Sequence, residues 1–154
     1  MIDVIKPKLM HFGPLPIRIL AGTAFILHGY PKFGNLSGIQ GFMGSLGVPA
    51  ELALPLAILE TLGGVLLILG VLTRVSGILL AIEMTLTSLI VKLEGGFLGG
   101  QGQPGFEVDL LLMAMVISLV ITGPGRVSIE WDVIKREIFP RGKALVPASG
   151  QQQS

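Results

Sequence analysis

The chain of 154 residues contains no cysteine and has few charged or aromatic residues. The absence of cysteine excludes disulfides, a thiolate nucleophile and cysteine-ligated zinc or iron–sulfur clusters. Charged residues make up only 14% of the chain, whereas an ordinary soluble domain has about 25%, so too few charges remain to cover a soluble surface. The net charge of +1 argues against nucleic acid as a partner, because phosphate binding needs a concentrated basic face.

Half of the chain is apolar, and the apolar residues fall into four long stretches. The stretches cover residues 15–33, 53–72, 75–91 and 106–122, and each has close to the ~20 residues that a helix needs to cross a bilayer. The alternative is a soluble all-α bundle with buried helices, but the segments Leu62–Leu72 and Leu110–Thr122 lack the broad polar face that a helix of such a bundle presents to water. We therefore expect an all-α fold, an integral membrane four-helix bundle surrounded by lipid.

Lysine and arginine are distributed unequally between the two ends of this bundle. If the N-terminus lies inside, nine of the 11 basic residues fall on the inner side and only Lys32 and Lys92 on the outer side. Loops with an excess of lysine and arginine stay in the cytoplasm. The sequence therefore predicts a multi-pass protein with both termini cytoplasmic.

The two outer connections differ in character. The first contains apolar residues at helical spacing, which predict a short amphipathic helix lying in the interface; they are Ile39, Phe42, Met43 and Leu46. The second, over 94–105, is rich in glycine and is expected to be a flexible loop.

The segments outside the spans complete the predicted organisation. Residues 1–14 are expected to form a cytoplasmic N-terminus, and residues 15–126 form the membrane domain. Residues 127–140 are predicted to form an amphipathic interfacial helix with Trp131 on its apolar face and Glu130 on its polar face. Residues 141–154 are expected to be a disordered tail.

Each apolar span carries an ionisable side chain, which is costly in lipid and marks a functional site by default. At ~1.5 Å per residue, most of these groups lie toward the outer half of the bundle, whereas Arg18 lies at the inner surface. The sequence therefore predicts a polar cavity that opens outward. Its expected lining is His28, Lys32, Glu60, Glu83 and Glu107.

Simpler explanations exist for several of these residues. Lys32 could extend its ammonium group to the interface, and Glu107 and Asp109 could be first-turn acids favoured by the helix dipole. On an ideal helix, Asp109 points away from the face that carries Glu107. Glu60 and Glu83 lie far from the span ends, where a salt bridge between helices and a proton-handling role are both open.

Metal and haem chemistry is not expected on this chain. It has only two histidines, and their spacing matches neither a metal site nor a haem-ligating pair. Electrons for any redox reaction would therefore come from a bound organic carrier or from a partner subunit.

Three stretches resemble the DoxX/DoxD-like family of small prokaryotic membrane proteins: RILAGTAFILHGYPK at 18–32, ETLGGVLLILGVLTR at 60–74, and GFE at 105–107 leading to GPGRVS at 123–128. The resemblance implies a four-helix bundle in the cell membrane of a prokaryote. DoxD-type members look like subunits of thiosulfate:quinone oxidoreductase or are associated with a terminal quinol oxidase. Glu83 lies outside the family signature, and the matching candidate positions are Arg18, His28, Lys32, Glu60, Arg74, Glu107 and Arg126.

These features lead to one main functional hypothesis. The chain is expected to be a small membrane subunit of a respiratory or sulfur-redox complex that contributes to a quinone pocket, and at most a subunit of a quinone-linked oxidoreductase. The candidate cofactor-binding residues are Arg18, His28 and Lys32. The candidate catalytic, proton-exchanging residues are Glu60, Glu83 and Glu107.

Two other functions stay open at this point. The chain could be a non-catalytic structural or assembly subunit of a larger membrane enzyme complex, or it could be a small transporter or proton-conducting protein. The transporter hypothesis is the weaker one, because no span has a proline in its middle to break the helix.

Overall fold

The structure is a computed structural model that describes residues 11–100, 102–136 and 138. Five α-helices account for most of these residues. In chain order they are α1 (Pro14–Gly34), α2 (Leu36–Ser45), α3 (Ala53–Leu69), α4 (Thr73–Thr87) and α5 (Glu107–Thr122). The prolines at the start of α1 suit the first turn of a helix, where a missing N–H leaves no intrahelical hydrogen bond unmade.

Shorter elements connect these helices. A 3₁₀ turn, Ala50–Leu52, leads into α3, and α4 continues through a π-helical turn, Ser88–Lys92, and a 3₁₀ turn, Leu93–Gly95. The glycine-rich loop before α5 contains another short element. Within it, Gly99–Gly100 pairs with Gln103–Pro104 as a small antiparallel hairpin, and the rings of the flanking residues Phe97 and Phe106 pack edge to face.

The four long helices pack around one apolar core. Helices α1 and α4 each contact both α3 and α5. The turn between α3 and α4 is so short that the two helices run antiparallel side by side, with Gly70 and Leu72 at positive φ angles of 66° and 50°. The buried core residues are Ala21, Phe25, Leu67, Leu80, Met84, Leu112, Val116 and Leu119.

Helices α1 and α3 approach each other most closely at a pair of glycines. A Cβ atom on Gly22 would lie 2.6 Å from the carbonyl oxygen of Gly64, and a Cβ atom on Gly64 would lie 2.6 Å from the carbonyl oxygen of Gly22. Small residues allow two helix backbones to pack this closely without a hydrophobic driving force. The contact fixes the relative heights of α1 and α3.

The four predicted spans coincide with the four long helices to within four residues at each end. Helix α3 ends before residue 72 because Gly70 adopts the left-handed conformation that closes a helix. Within the described residues, two helical stretches, Ala50–Leu69 and Thr73–Gly95, are long and apolar enough to cross a membrane. That α1 and α5 also cross it stays a prediction.

Large apolar side chains lie on the outer surface of all four long helices. Leu20 on α1, Leu62 on α3 and Leu111 on α5 are each more than half exposed, and Ile78 on α4 is 41% exposed. Exposed apolar surface of this kind is typical of a face that contacts lipid or another protein.

The C-terminal segment differs from the predicted amphipathic helix over 127–140. Among the described residues of this segment, Ile129–Ile134 alone is helical, as a π-helical turn that ends at Lys135 with a positive φ angle of 56°. Glu130 is buried, not solvent-facing, because its carboxylate accepts a hydrogen bond from the backbone N–H of Leu72. Trp131 packs its ring 4.7 Å from that of His11. Residues 1–10 and the tail predicted over 141–154 lie outside the described residues.

Arg18 ties the C-terminal segment to the end of α3. Its guanidinium group is buried and donates to the carbonyl oxygens of Leu67 and Ile68, at 2.9 and 2.8 Å, where α3 ends. It also donates to the carbonyl oxygens of Pro124 and Val127, at 2.6 and 2.8 Å. The planar fork of arginine can reach several acceptors at once, and the last carbonyls of a helix carry partial negative charge.

Replacing Arg18 is expected to destabilise the fold strongly. Arg18→Met leaves several buried carbonyl oxygens without a donor, and each such group costs about 1–3 kcal/mol. Thermal unfolding in detergent, followed by circular dichroism, should show a clear drop in Tm. Arg126→Met is the matched control because Arg126 is exposed, and its Tm should stay near that of the wild type. Equal Tm values for the two variants would contradict this role of Arg18.

Candidate functional site

A cavity of about 510 Å³ lies at the end of the bundle opposite Arg18. It is lined by the last turns of α1, the first half of α3, the second half of α4 and the start of α5, with α2 along its side, and it is open to the surroundings. None of the α2 residues is buried within the protein, so this helix covers the cavity without belonging to the core. The apolar lining residues are Ile39, Phe42, Met43, Leu46, Val48, Leu52, Pro55, Leu56, Leu59, Leu79, Ile82, Met84, Leu86, Ile90, Val91 and Leu112.

An ion pair between α1 and α3 forms one polar wall of the cavity. The ammonium nitrogen of Lys32 lies 2.5 Å from each carboxylate oxygen of Glu60. The Glu60 side chain is only 2% exposed and that of Lys32 is 20% exposed, so the pair sits largely away from solvent. Gly29 allows α1 to approach α3 this closely. A Cβ atom at residue 29 would lie 2.7 Å from the Cβ atom of Glu60 and would clash with it.

Glu83 extends this ion pair onto α4. Its side chain is buried in the same cavity wall as Glu60, with which it interacts electrostatically. The hydroxyl group of Thr87, one turn further along α4, donates a hydrogen bond of 3.0 Å to Oε1 of Glu83. Lys32, Glu60 and Glu83 therefore form an acid–base cluster built from three helices.

A second ion pair lies across α4 and α5. Lys92 contacts Oδ1 of Asp109 at 2.6 Å, and the hydroxyl group of Ser88 lies 3.3 Å from Oδ2. The Asp109 side chain is only 4% exposed. Ser88 and Lys92 both belong to the π-helical turn that ends α4, and such turns occur frequently at functional sites.

The structure brings some of the predicted site residues together and separates others. His28, Lys32, Glu60 and Glu83 all line the cavity, with His28 exposed at its edge. Arg18 is not among the lining residues, because it lies at the far end of the bundle and bonds backbone carbonyls.

The start of α5 is rotated relative to the sequence prediction. Asp109, predicted to point away, lines the cavity, whereas Glu107 does not. Glu107 sits partly buried under the loop before α5, where its backbone N–H donates to the carbonyl oxygen of Phe97 at 3.1 Å. The ion pair Lys92–Asp109 was missed in the sequence, although opposite charges at the outer ends of consecutive antiparallel spans are a usable signal.

The cavity combines a large apolar volume with a few polar groups, the composition expected of a small-molecule site. Its ammonium groups can donate hydrogen bonds and its carboxyl groups can accept them or exchange protons. Among the residues that the structure describes, no group of three or more histidine, cysteine, aspartate or glutamate side chains is arranged to hold a metal ion.

Several bacterial proteins are similar to this chain over most of its length. The Bacillus subtilis protein named "Putative oxidoreductase CatD" is 34% identical over 128 residues, which cover 83% of this chain and 92% of that protein. The inner membrane protein YqjF of Escherichia coli is 37% identical over 124 residues, covering 80% of this chain and 93% of YqjF.

An uncharacterized membrane protein of Mycobacterium tuberculosis is 34% identical over 145 residues, covering 84% of this chain and 89% of that protein. No solved structure shows significant similarity to the chain. The DoxX family model matches residues 13–93, which include α1 to α4 and the acid–base cluster. The chain is therefore a member of the DoxX family.

Proposed function

We propose that the chain is an integral membrane protein in which α1, α3, α4 and α5 all cross the bilayer. The apolar side chains exposed on all four helices support this arrangement, as do relatives named as membrane proteins. The ionisable residues Arg18, Glu60, Glu83 and Asp109 are instead buried between helices. An apolar exterior with internally partnered charges is what a hydrocarbon environment requires.

The proposed orientation places the cavity on the outer side of the membrane. Arg18 and Arg74 lie at the end of the bundle opposite the cavity, where Arg74 donates to the carbonyl oxygens of Val120 and Ile121 at the end of α5. Because positive charge favours the cytoplasmic side, that end faces inward. Both termini are then cytoplasmic, and α2 lies in the outer interface.

We also propose that the cavity binds the ring of a quinone and that the chain acts as a small membrane subunit of a redox complex. The observation that carries the proposal is the presence of two lysines, Lys32 and Lys92, in one cavity of about 510 Å³ with mainly apolar walls. This volume lies within the ~300–1,000 Å³ of small-molecule sites. The name of the B. subtilis relative is consistent with a redox role.

The residues of the cavity would bind and position the quinone. Reduction of a quinone supplies the overall chemistry, in which the ring carbonyls take up electrons and protons. Lys32 and Lys92 would donate hydrogen bonds to carbonyl oxygens, because ammonium groups are donors without acceptor capacity. Glu60 and Glu83 would hold a proton at the same wall. In this proposal a partner subunit delivers the electrons.

A structural role is the second candidate. The observation that favours it is the internal pairing of Lys32 with Glu60 and of Lys92 with Asp109, which stabilises the bundle without any ligand. The exposed apolar helix faces would then contact neighbouring subunits. In that case the wild-type protein binds no quinone, and its deletion prevents assembly of a larger membrane complex.

Single cysteines test the orientation, since the natural chain has none. Ser45→Cys places a thiol at the exposed end of α2, and Val133→Cys places one at a position that is 73% exposed in the C-terminal segment. A membrane-impermeant maleimide should label Ser45→Cys in intact spheroplasts and Val133→Cys only after permeabilisation. Labelling in the reverse order would contradict the proposed orientation.

Filling the cavity tests quinone binding. Leu56→Trp puts an indole ring into the cavity, so the affinity of the purified protein in nanodiscs for decylubiquinone should fall at least about tenfold, equivalent to ~1.4 kcal/mol. Leu62→Trp is the matched control on the exposed face of the same helix, and its affinity should equal that of the wild type. Equal binding by Leu56→Trp and wild type would contradict a quinone site in this cavity.

A further inference from the structure

The acid–base cluster holds one more acid than base. Lys32 carries one positive charge, whereas Glu60 and Glu83 together can carry two negative charges. Both glutamates are at least nine-tenths buried, and an uncompensated charge in such surroundings is strongly unfavourable. The cluster therefore needs one further positive charge to be neutral.

The other charged groups of the cavity do not supply that charge. Lys92, on the turn after α4, is matched by Asp109 on α5. His28 of α1 lies at the exposed edge of the cavity. Among the cavity-lining residues that the structure describes, the surplus acid therefore stays with Glu60 and Glu83.

The oxygen atoms show where a neutralising proton fits. The ammonium group of Lys32 donates to the carboxylate of Glu60, and the hydroxyl group of Thr87 donates to Oε1 of Glu83. Oε2 of Glu83 is buried and receives no hydrogen bond from any residue within the described ranges. Glu60, the nearby acid that interacts with it electrostatically, is buried in the same cavity wall, and two ionised carboxylates are both acceptors only. A proton on either one would let that carboxyl group donate a hydrogen bond to the other.

We propose that Glu60 and Glu83 share one proton and form a proton-binding site that opens into the cavity. The proton is taken up from solvent, forms an O–H bond at one carboxyl group and is donated as a hydrogen bond to the other. When it leaves, that O–H bond breaks and the cluster regains one negative charge. This inference rests on the proposed function only for the identity of the exchange partner, a bound quinone; the proton site itself requires no ligand.

Infrared spectroscopy of the quinone-free protein in nanodiscs tests the site. At neutral pH the wild type should show the C=O stretching band of a protonated carboxylic acid, shifted in D₂O. Both Glu60→Gln and Glu83→Gln should lose this band, because each leaves a single carboxylate opposite Lys32. Lys32→Met should keep it, because two acids without a base still need a proton.

Two further variants make the assignment specific. Glu107→Gln is the matched control, since Oε2 of Glu107 is also buried without a hydrogen bond from the described residues but lies outside the cavity lining; the band of the pair should persist in this variant. Thr87→Val removes the hydrogen bond to Glu83 and should shift the band without abolishing it. A shift in Thr87→Val assigns the infrared band to the pair that contains Glu83, even if the Glu83→Gln variant does not fold.

Several results would overturn the shared proton. One is the absence of the band in the wild type, and another is its persistence in Glu83→Gln. Loss in Glu83→Gln but not in Glu60→Gln would mean that Glu83 is protonated by itself. Failure of decylubiquinone to bind while the band behaves as expected would remove the quinone as exchange partner and leave the proton site in place.

Discussion

A charged side chain on an apolar helix needs a partner on another part of the bundle, and this requirement organises both ends of the protein. At one end the guanidinium group of Arg18 is held by carbonyl oxygens of α3 and of the segment after α5. At the other end Lys32 pairs with Glu60 and Lys92 pairs with Asp109. Each contact joins different elements of the bundle. The charged side chains therefore specify which elements pack together, which apolar surfaces alone would leave undetermined.

The position of the cavity follows from these contacts. The close approach of α1 and α3 at Gly22 and Gly64 sets the relative heights of the two helices and brings Gly29 against Glu60, so that Lys32, one turn further along α1, reaches the Glu60 carboxylate. The second ion pair ties α4 to α5. Space remains between the two pairs of helices, and apolar side chains of α2, none of which is buried, line one side of it.

The sequence predicts the four helices well because their apolar composition and their polar breaks are local properties. It predicts the rotation of α5 poorly. That helix is apolar on nearly all sides, so its pattern cannot show whether Glu107 or Asp109 faces inward. In the structure Asp109 faces inward, where it pairs with Lys92. Glu130 shows the same limit. Its position in an amphipathic pattern predicts a solvent-facing residue, whereas its carboxylate is buried and accepts a hydrogen bond from the backbone N–H of Leu72. Partners that are remote in sequence therefore set the details of the site.

The pairing of Lys32 with Glu60 is the interaction on which the cavity most depends. A double-mutant cycle measures it directly: the free energies of unfolding of the wild type, Lys32→Met, Glu60→Gln and the double variant are compared in bicelles. Contacting residues in a shared network are expected to show a coupling energy of about 0.5–3 kcal/mol. Additive effects, to within roughly 0.3–0.5 kcal/mol, would mean that the two side chains do not interact in the membrane and would contradict this account of the cavity.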